Sequence, residues 1–396
     1  MLTQKNQVYI YLVIFGISVA TFYYFFQPPV NYQKSPLSDS NQYEKIYHFF
    51  NGNTNEYQLK FPYNTRVLIP FFAARLWGDD IDFNFFIINT LFAILAILSI
   101  YKLMDSYGID RKIVLLSILW ISIHWAGPFR QNAFNPVNVD IPIYFFEVLM
   151  LLLFINKKYV LLLIVSVVAI AIKEVFLALL MIMLFITLAE WLFITKNSSS
   201  PIWISIILGI GILVKIYLNS QFPSLNNSYS IFTMFYALRE IILHPLNIVR
   251  WILAFFTVFA SFTFIMSIAS LKIGKFNVNP GTILFIMTIA VILLSFLGGM
   301  DYTRLIMLGF PYLMTSIILI SNPGFREFLM LFLLSLPLSR FWMVRTDAEL
   351  VIDKFKIWMP EYADSEQLIF WIIAVLVNFL IVWFGRKYIR HSQGSE

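Results

Sequence analysis

Apolar residues fall into long blocks separated by short polar links. The first block, Val8 to Phe26, follows a brief polar start containing Lys5. It is too long for the apolar core of a signal peptide and no small-residue cleavage site follows it, which predicts an uncleaved first transmembrane helix. Further blocks lie at about 83–104, 113–125, 141–156, 159–172, 175–195, 202–219, 248–271, 281–298, 305–321, 327–343 and 367–385. A crossing takes about 20 apolar residues, so these blocks predict an all-α polytopic bundle with about twelve crossings, several of them short and tilted.

The links between blocks differ in charge. Lys5, Lys102 with Arg111 and Lys112, Lys157 with Lys158, Lys196, Lys272 with Lys275, Arg326, and Arg386 with Lys387 and Arg390 all fall on one side of the predicted membrane. Short loops rich in Lys and Arg stay cytoplasmic, so that side is the cytoplasmic one and both termini are expected there. The outer side receives 27–82, 126–140, 220–247 and 344–366, with two tight turns at Lys173-Glu174 and Gly298-Gly299-Met300-Asp301. Within 27–82, Ser38-Asp39-Ser40 precedes an amphipathic stretch carrying Tyr43, Ile46, Tyr47 and Phe50 on one face. A second stretch, Val67–Trp77, follows Phe61-Pro62-Tyr63-Asn64-Thr65-Arg66 and ends at Gly78. Both are too short to cross and are expected to lie on the membrane surface.

Composition narrows the function classes. Of 396 residues, 60% are hydrophobic and 13% charged, against about 45–50% and about 25% in soluble domains. That excludes a soluble enzyme. The absence of cysteine removes thiolate metal sites, cysteine nucleophiles and disulfides together. The net charge of +6 is spread over helix ends without a run of five basic residues, so nucleic acid is not an expected partner; anionic lipids or a phosphate-bearing substrate are. His48, His124, His244 and His391 show no metal-ligand spacing, and no Walker loop or dinucleotide fingerprint is present. No cofactor is implied; a divalent metal is possible but not indicated.

One crossing, an acid just outside the membrane, two surface helices and a crossing that ends in a basic turn together form a recognisable order. It resembles the first module of the GT-C class of membrane glycosyltransferases, through Asp39 with Tyr43, Pro62-Tyr63, and Arg66-Val67-Leu68-Ile69-Pro70 running to Leu76-Trp77-Gly78. Asn135-Pro136-Val137-Asn138-Val139-Asp140 stands where that class often places a second acid, and Lys173-Glu174 matches a basic-acidic pair of several such enzymes. Many relatives carry paired acids in the first loop, whereas Asp39 is followed by Ser40. The resemblance covers about the first half of the chain. It implies a catalytic module over 1–220, with 221–396 completing the same integral membrane unit. It also implies transfer of a sugar from a polyprenyl-phosphate-linked donor to a glycan, lipid or protein acceptor at the outer face of a bacterial inner or plasma membrane.

Such chemistry needs a carboxylate as general base and cations for the departing phosphate. Asp39 is the candidate base and Asp140 the second carboxylate; for each the competing role is a helix N-cap. Arg304, Lys173 and Arg130 are the candidate phosphate ligands, supported by Tyr43, Glu174 and Asp301. Against these stand a salt-bridged Lys173-Glu174 corner, an Arg304-Asp301 surface pair, and an Arg130 that snorkels to headgroups. Glu147 lies inside an apolar block, where an acid is protonated, paired or turned to a polar cavity. Two rival functions remain. A surface-polysaccharide polymerase or ligase requires an arginine-rich outer loop, for which 220–247 is the candidate. A lipid or solute transporter or flippase requires midplane charges, for which Glu147 and Lys215 are the candidates.

Overall fold

The computed structural model describes residues 4–34, 38–195, 199–225, 238–240, 243–265, 280–297, 302–341 and 359–393. The described residues are helical, with no strand; the β-pairing among them is an isolated parallel bridge between Leu59 and Ser224. Six of the helices are long and apolar enough to cross a membrane, so the chain is an integral membrane protein. A bent pair forms a seventh candidate span, and four shorter apolar helices follow the same pattern.

The helices divide between two compact units. The first consists chiefly of Met1–Ile100 and Pro128–Phe232, the second chiefly of Tyr101–Gly127, Thr233–Val344 and Val351–Glu396. Tyr101–Gly127, early in the chain, thus belongs to the second unit.

In the first unit, α1 (Gln4–Phe26) comes first, and α2 (Ser40–Phe50) packs on α3 (Leu68–Ala73). The expected second surface helix is shorter than the stretch 67–77. Its amide ladder closes at Ala74, three turn residues follow, and Gly78 takes a left-handed φ of 85°. Next come α4 (Ile81–Ser106), which passes into the second unit at Tyr101, then α5 (Arg111–Ile123) in the second unit. The first unit resumes with α6 (Pro128–Phe134), α7 (Ile141–Ile155), α8 (Tyr159–Ile172), α9 (Val175–Glu190) and α10 (Ser199–Gln221). At about 1.5 Å per residue, α7 and α8 reach about 21–23 Å, short of a straight crossing of about 30 Å. Gly16 lets α1 approach α4 closely, since a Cβ there would stand 2.8 Å from Ile94 Cγ1 and 3.3 Å from Ile97 Cδ1.

The second unit continues with α11 (Leu246–Phe259), α12 (Pro280–Leu297), α13 (Tyr302–Leu308), α14 (Phe310–Ser321), α15 (Phe325–Ser339) and α16 (Ser365–Gln393). Gly309 and Pro311 separate α13 from α14 by a 58° bend, because proline removes an amide donor and crowds the preceding turn. Trp120 and Trp125 are buried packing residues; the Trp120 indole donates to the Val258 carbonyl at 3.2 Å. Arg340 stacks over both Trp125 and Trp371, and the buried Glu327 and Arg386 join α15 to α16 as an ion pair.

Candidate functional site

Three of the acidic residues singled out in the sequence, Asp39, Asp140 and Glu174, stand at helix starts, where a cap is the ordinary role. Asp110 shows what that looks like: its extended backbone, φ −50° and ψ 127°, aims the carboxylate at the Lys112 amide at 2.8 Å. Asp39 before α2, Asp140 before α7 and Glu174 before α9 occupy the same position but have helical backbone angles, and none makes a side-chain cap bond. A cap requires a non-helical Ncap residue to turn its oxygen back on the first amides. These three carboxylates point elsewhere.

Asp39 Oδ1 accepts a hydrogen bond from the Tyr63 hydroxyl at 2.5 Å. The Tyr63 ring meets Tyr43 edge-on at 5.8 Å, and the Arg66 guanidinium lies 5.1 Å from its centroid. Tyr43, one turn into α2, is buried, and its hydroxyl accepts from Arg66 Nη1 at 2.9 Å. The remaining face of that guanidinium forms a two-bond fork with Glu174: Nε donates to Oε2 at 3.1 Å and Nη2 to Oε1. Lys215, in the last two turns of α10, brings Nζ to 3.6 Å from Glu174 Oε2 and donates to Thr65 Oγ1.

Asp140 is bonded by the Lys173 ammonium. The capping-type bond at the start of α7 is made instead by Asn138, whose Oδ1 accepts from the Asp140 amide at 3.0 Å. Lys173 itself is extended, φ −157° and ψ 140°, which breaks the apolar run between α8 and α9 and sends its side chain and that of Glu174 to different partners. The expected salt-bridged Lys173-Glu174 corner is therefore replaced by two crossed pairs, Lys173 with Asp140 and Arg66 with Glu174.

Polar side chains fix the loops that carry these groups. Ser40 Oγ donates to Asn135 Oδ1 at 2.9 Å, and Asn89 Nδ2 donates to the carbonyls of Pro136 and Asn138 at 2.9 and 3.1 Å. Asn64 Nδ2 donates to Asn219 Oδ1 at 3.0 Å, and the Leu225 amide to the Leu59 carbonyl at 2.8 Å, which seats the 59–66 loop on the end of α10.

Electrostatically the cluster is neutral, with Asp39, Asp140 and Glu174 set against Arg66, Lys173 and Lys215. Burial pushes the Glu174 carboxyl up, but the charge and hydrogen bonds of Arg66, with Lys215 and Lys173, outweigh it and hold the group at about 2. Burial raises the Tyr43 phenol well above its ordinary value, against the neighbouring Arg66 and with Asp39 and Asp140 adding to the rise. Tyr43 is thus a neutral hydrogen-bonding group.

Of the residues expected at the site, Asp39, Tyr43, Asp140, Lys173 and Glu174 are brought together. Arg130 is buried, not snorkelled to the surface: its Nε donates to Gln27 Oε1 at 3.3 Å, and its guanidinium stands 5.8 Å from the Tyr23 ring on α1. Arg304 is part of α13 in the second unit, while Asp301 and half of 220–247 lie outside the described residues. Glu147 is buried within α7. Arg66, Tyr63 and Lys215 were not expected as members. The available signals were the Arg66 charge at the entry to α3 and the Lys215 charge inside an apolar block. Among the described residues, no group of three or more His, Asp or Glu is placed to hold a metal ion.

No family model, curated protein or solved structure matches this chain.

Proposed function

We propose that this protein is a membrane glycosyltransferase of the GT-C type, with about twelve crossings, both termini cytoplasmic and its site at the outer face of a bacterial inner or plasma membrane. It moves a sugar from a polyprenyl-phosphate-linked donor to a glycan, lipid or protein acceptor. The observation that carries this reading is the cluster itself. Three carboxylates released from capping are held by a phenol, an arginine and two lysines beside apolar helices, in a half-buried setting.

In the proposed step, Asp39 takes the proton of the acceptor hydroxyl through the oxygen that Tyr63 does not hold. The acceptor oxygen bonds to the sugar's anomeric carbon as the bond from that carbon to the phosphate oxygen breaks. The electron pair leaves with the polyprenyl phosphate, whose charge is met by the site's cations. Asp140, bonded by Lys173, orients the acceptor.

The test is transfer of labelled sugar from a polyprenyl-phosphate donor in native membranes at matched expression. Asp39→Asn preserves size and the Tyr63 contact, so the folded variant should lose about 10²–10⁴ in rate, the usual contribution of a general base. Full activity in Asp39→Asn removes the base. A wild-type protein inactive with every such donor removes the reading, and the ion-paired Lys215 in an apolar helix would then favour a transporter.

A further inference from the structure

Charge is balanced over the whole cluster but not within its parts. Asp140 and Lys173 neutralise each other one for one. Glu174, in contrast, faces both Arg66 and Lys215, so that group carries one positive charge in excess, while Asp39 carries one negative charge at the other end of the Asp39–Tyr63–Arg66–Glu174–Lys215 line of contacts.

The two cations on Glu174 differ in what they have left to give. Arg66 spends Nε and Nη2 on Glu174 and Nη1 on Tyr43, and it is buried. Lys215 has three ammonium donors. One goes to Thr65 Oγ1, and its Glu174 contact of 3.6 Å is longer than a hydrogen bond. Its side chain keeps 16% of its exposure, with the Phe61 ring 5.7 Å away on one flank. A lysine this close to a helix end would ordinarily snorkel to water. Here it is clamped instead by the 59–66 loop, which Asn64 and Leu59 fasten to the same end of α10.

We propose that Lys215 is the anion-binding residue of the site and takes a phosphate group, with Arg66 and Glu174 as the scaffold that holds it. This rests on the glycosyltransferase reading and deepens it by giving the site a direction. The donor phosphate lies at the Lys215 end and the acceptor at the Asp39 end, so the leaving charge develops beside the surplus cation and the proton departs to the surplus carboxylate. Lys215 replaces Arg304 and Arg130 in the role expected for them.

The experiment uses the full chain in nanodiscs of neutral phosphatidylcholine, with farnesyl phosphate, inorganic phosphate and farnesol as probes. The wild type should bind farnesyl phosphate more tightly than farnesol. Lys215→Gln should weaken farnesyl phosphate about tenfold or more and leave farnesol unchanged, the effect expected for one charge-assisted hydrogen bond. Lys215→Arg, which keeps the charge, should retain most of the affinity, and Thr65→Val, which releases the ammonium, should fall between. If Lys215→Gln does not fold, Thr65→Val decides: unchanged affinity there overturns the proposal. Competition by inorganic phosphate at similar concentrations identifies free phosphate as the ligand; its failure to compete identifies the lipid-linked form. Equal binding of farnesyl phosphate by wild type and Lys215→Gln, or equal binding of farnesyl phosphate and farnesol by the wild type, overturns the assignment. The sugar-transfer assay separates the two readings. Transfer that is indifferent to Lys215→Gln removes the anion role and leaves the enzyme. Lysine-dependent phosphate binding without any transfer removes the enzyme and leaves the anion site.

Discussion

Replacing Glu174 by glutamine removes the charge around which Arg66 and Lys215 are arranged while keeping the side chain's shape. A carboxyl held at about 2 instead of its ordinary 4.5 corresponds to about 3 kcal/mol of stability at neutral pH, at about 1.4 kcal/mol per unit. The partners retain only 9% and 21% of side-chain exposure, so solvent screening removes little of this. Breaking one side of a buried pair typically costs about 3–5 kcal/mol, in the same range. Because the folded-state value is depressed, the contribution is fully present above the ordinary carboxyl range and is lost as pH falls from about 4.5 to about 2. Glu174→Gln mimics the protonated state throughout. The stability gap between wild type and variant should therefore be about 3 kcal/mol at pH 7 and close towards zero near pH 2. Unfolding in mixed detergent micelles, followed by tryptophan fluorescence across that range, measures the gap. A gap that stays constant with pH would show that Glu174 is not ionised against Arg66, and would refute the charge arrangement from which the site is built.

Other outcomes follow from particular contacts. A Cβ on Gly127 would stand 2.0 Å from the Ile121 carbonyl oxygen, whereas one on Gly211 would meet side-chain tips, those of Ile170, Leu177 and Leu180 at 2.7, 3.0 and 3.7 Å; Gly127→Ala should thus sharply reduce the folded yield in membranes, while Gly211→Ala should be tolerated. Neutralising Arg386 alone should cost about 3–5 kcal/mol by stranding the buried Glu327, and replacing both by apolar residues of similar volume should restore most of it, measured by detergent unfolding. Single cysteines at the exposed Asn53 and Asp110 of this cysteine-free chain should react with an impermeant thiol reagent in intact cells at position 53 and not at 110. The opposite pattern would invert the proposed orientation.

The helices were legible because hydropathy is a property of the residues themselves. Val8–Phe26 corresponds to a helix over Gln4–Phe26, and the run at 83–104 to one over Ile81–Ser106. The break at Lys173-Glu174 was also visible, since two charges cannot continue an apolar run cheaply. Asp39, Asp140 and Lys173 were legible as polar residues at helix mouths, but their partners were not. In sequence Asp39 and Asp140 stood as candidate carboxylates with capping as the competing role, and only their helical backbone angles show that their side chains are turned away from the first amides.

What the sequence determined by itself is therefore local: an all-helical membrane chain, the apolar runs that form its long helices, and the short list of charged residues outside them. What the tertiary structure decided is which of those charges meet. Arg66 finds Glu174 across 108 positions, Lys215 finds Thr65 across 150, and Arg130 turns instead to Gln27 and Tyr23. The physical reason is that helix formation in an apolar medium is imposed residue by residue through backbone hydrogen bonding. A charge can be held away from water only by opposite charges and polar groups that the packing of distant helices delivers.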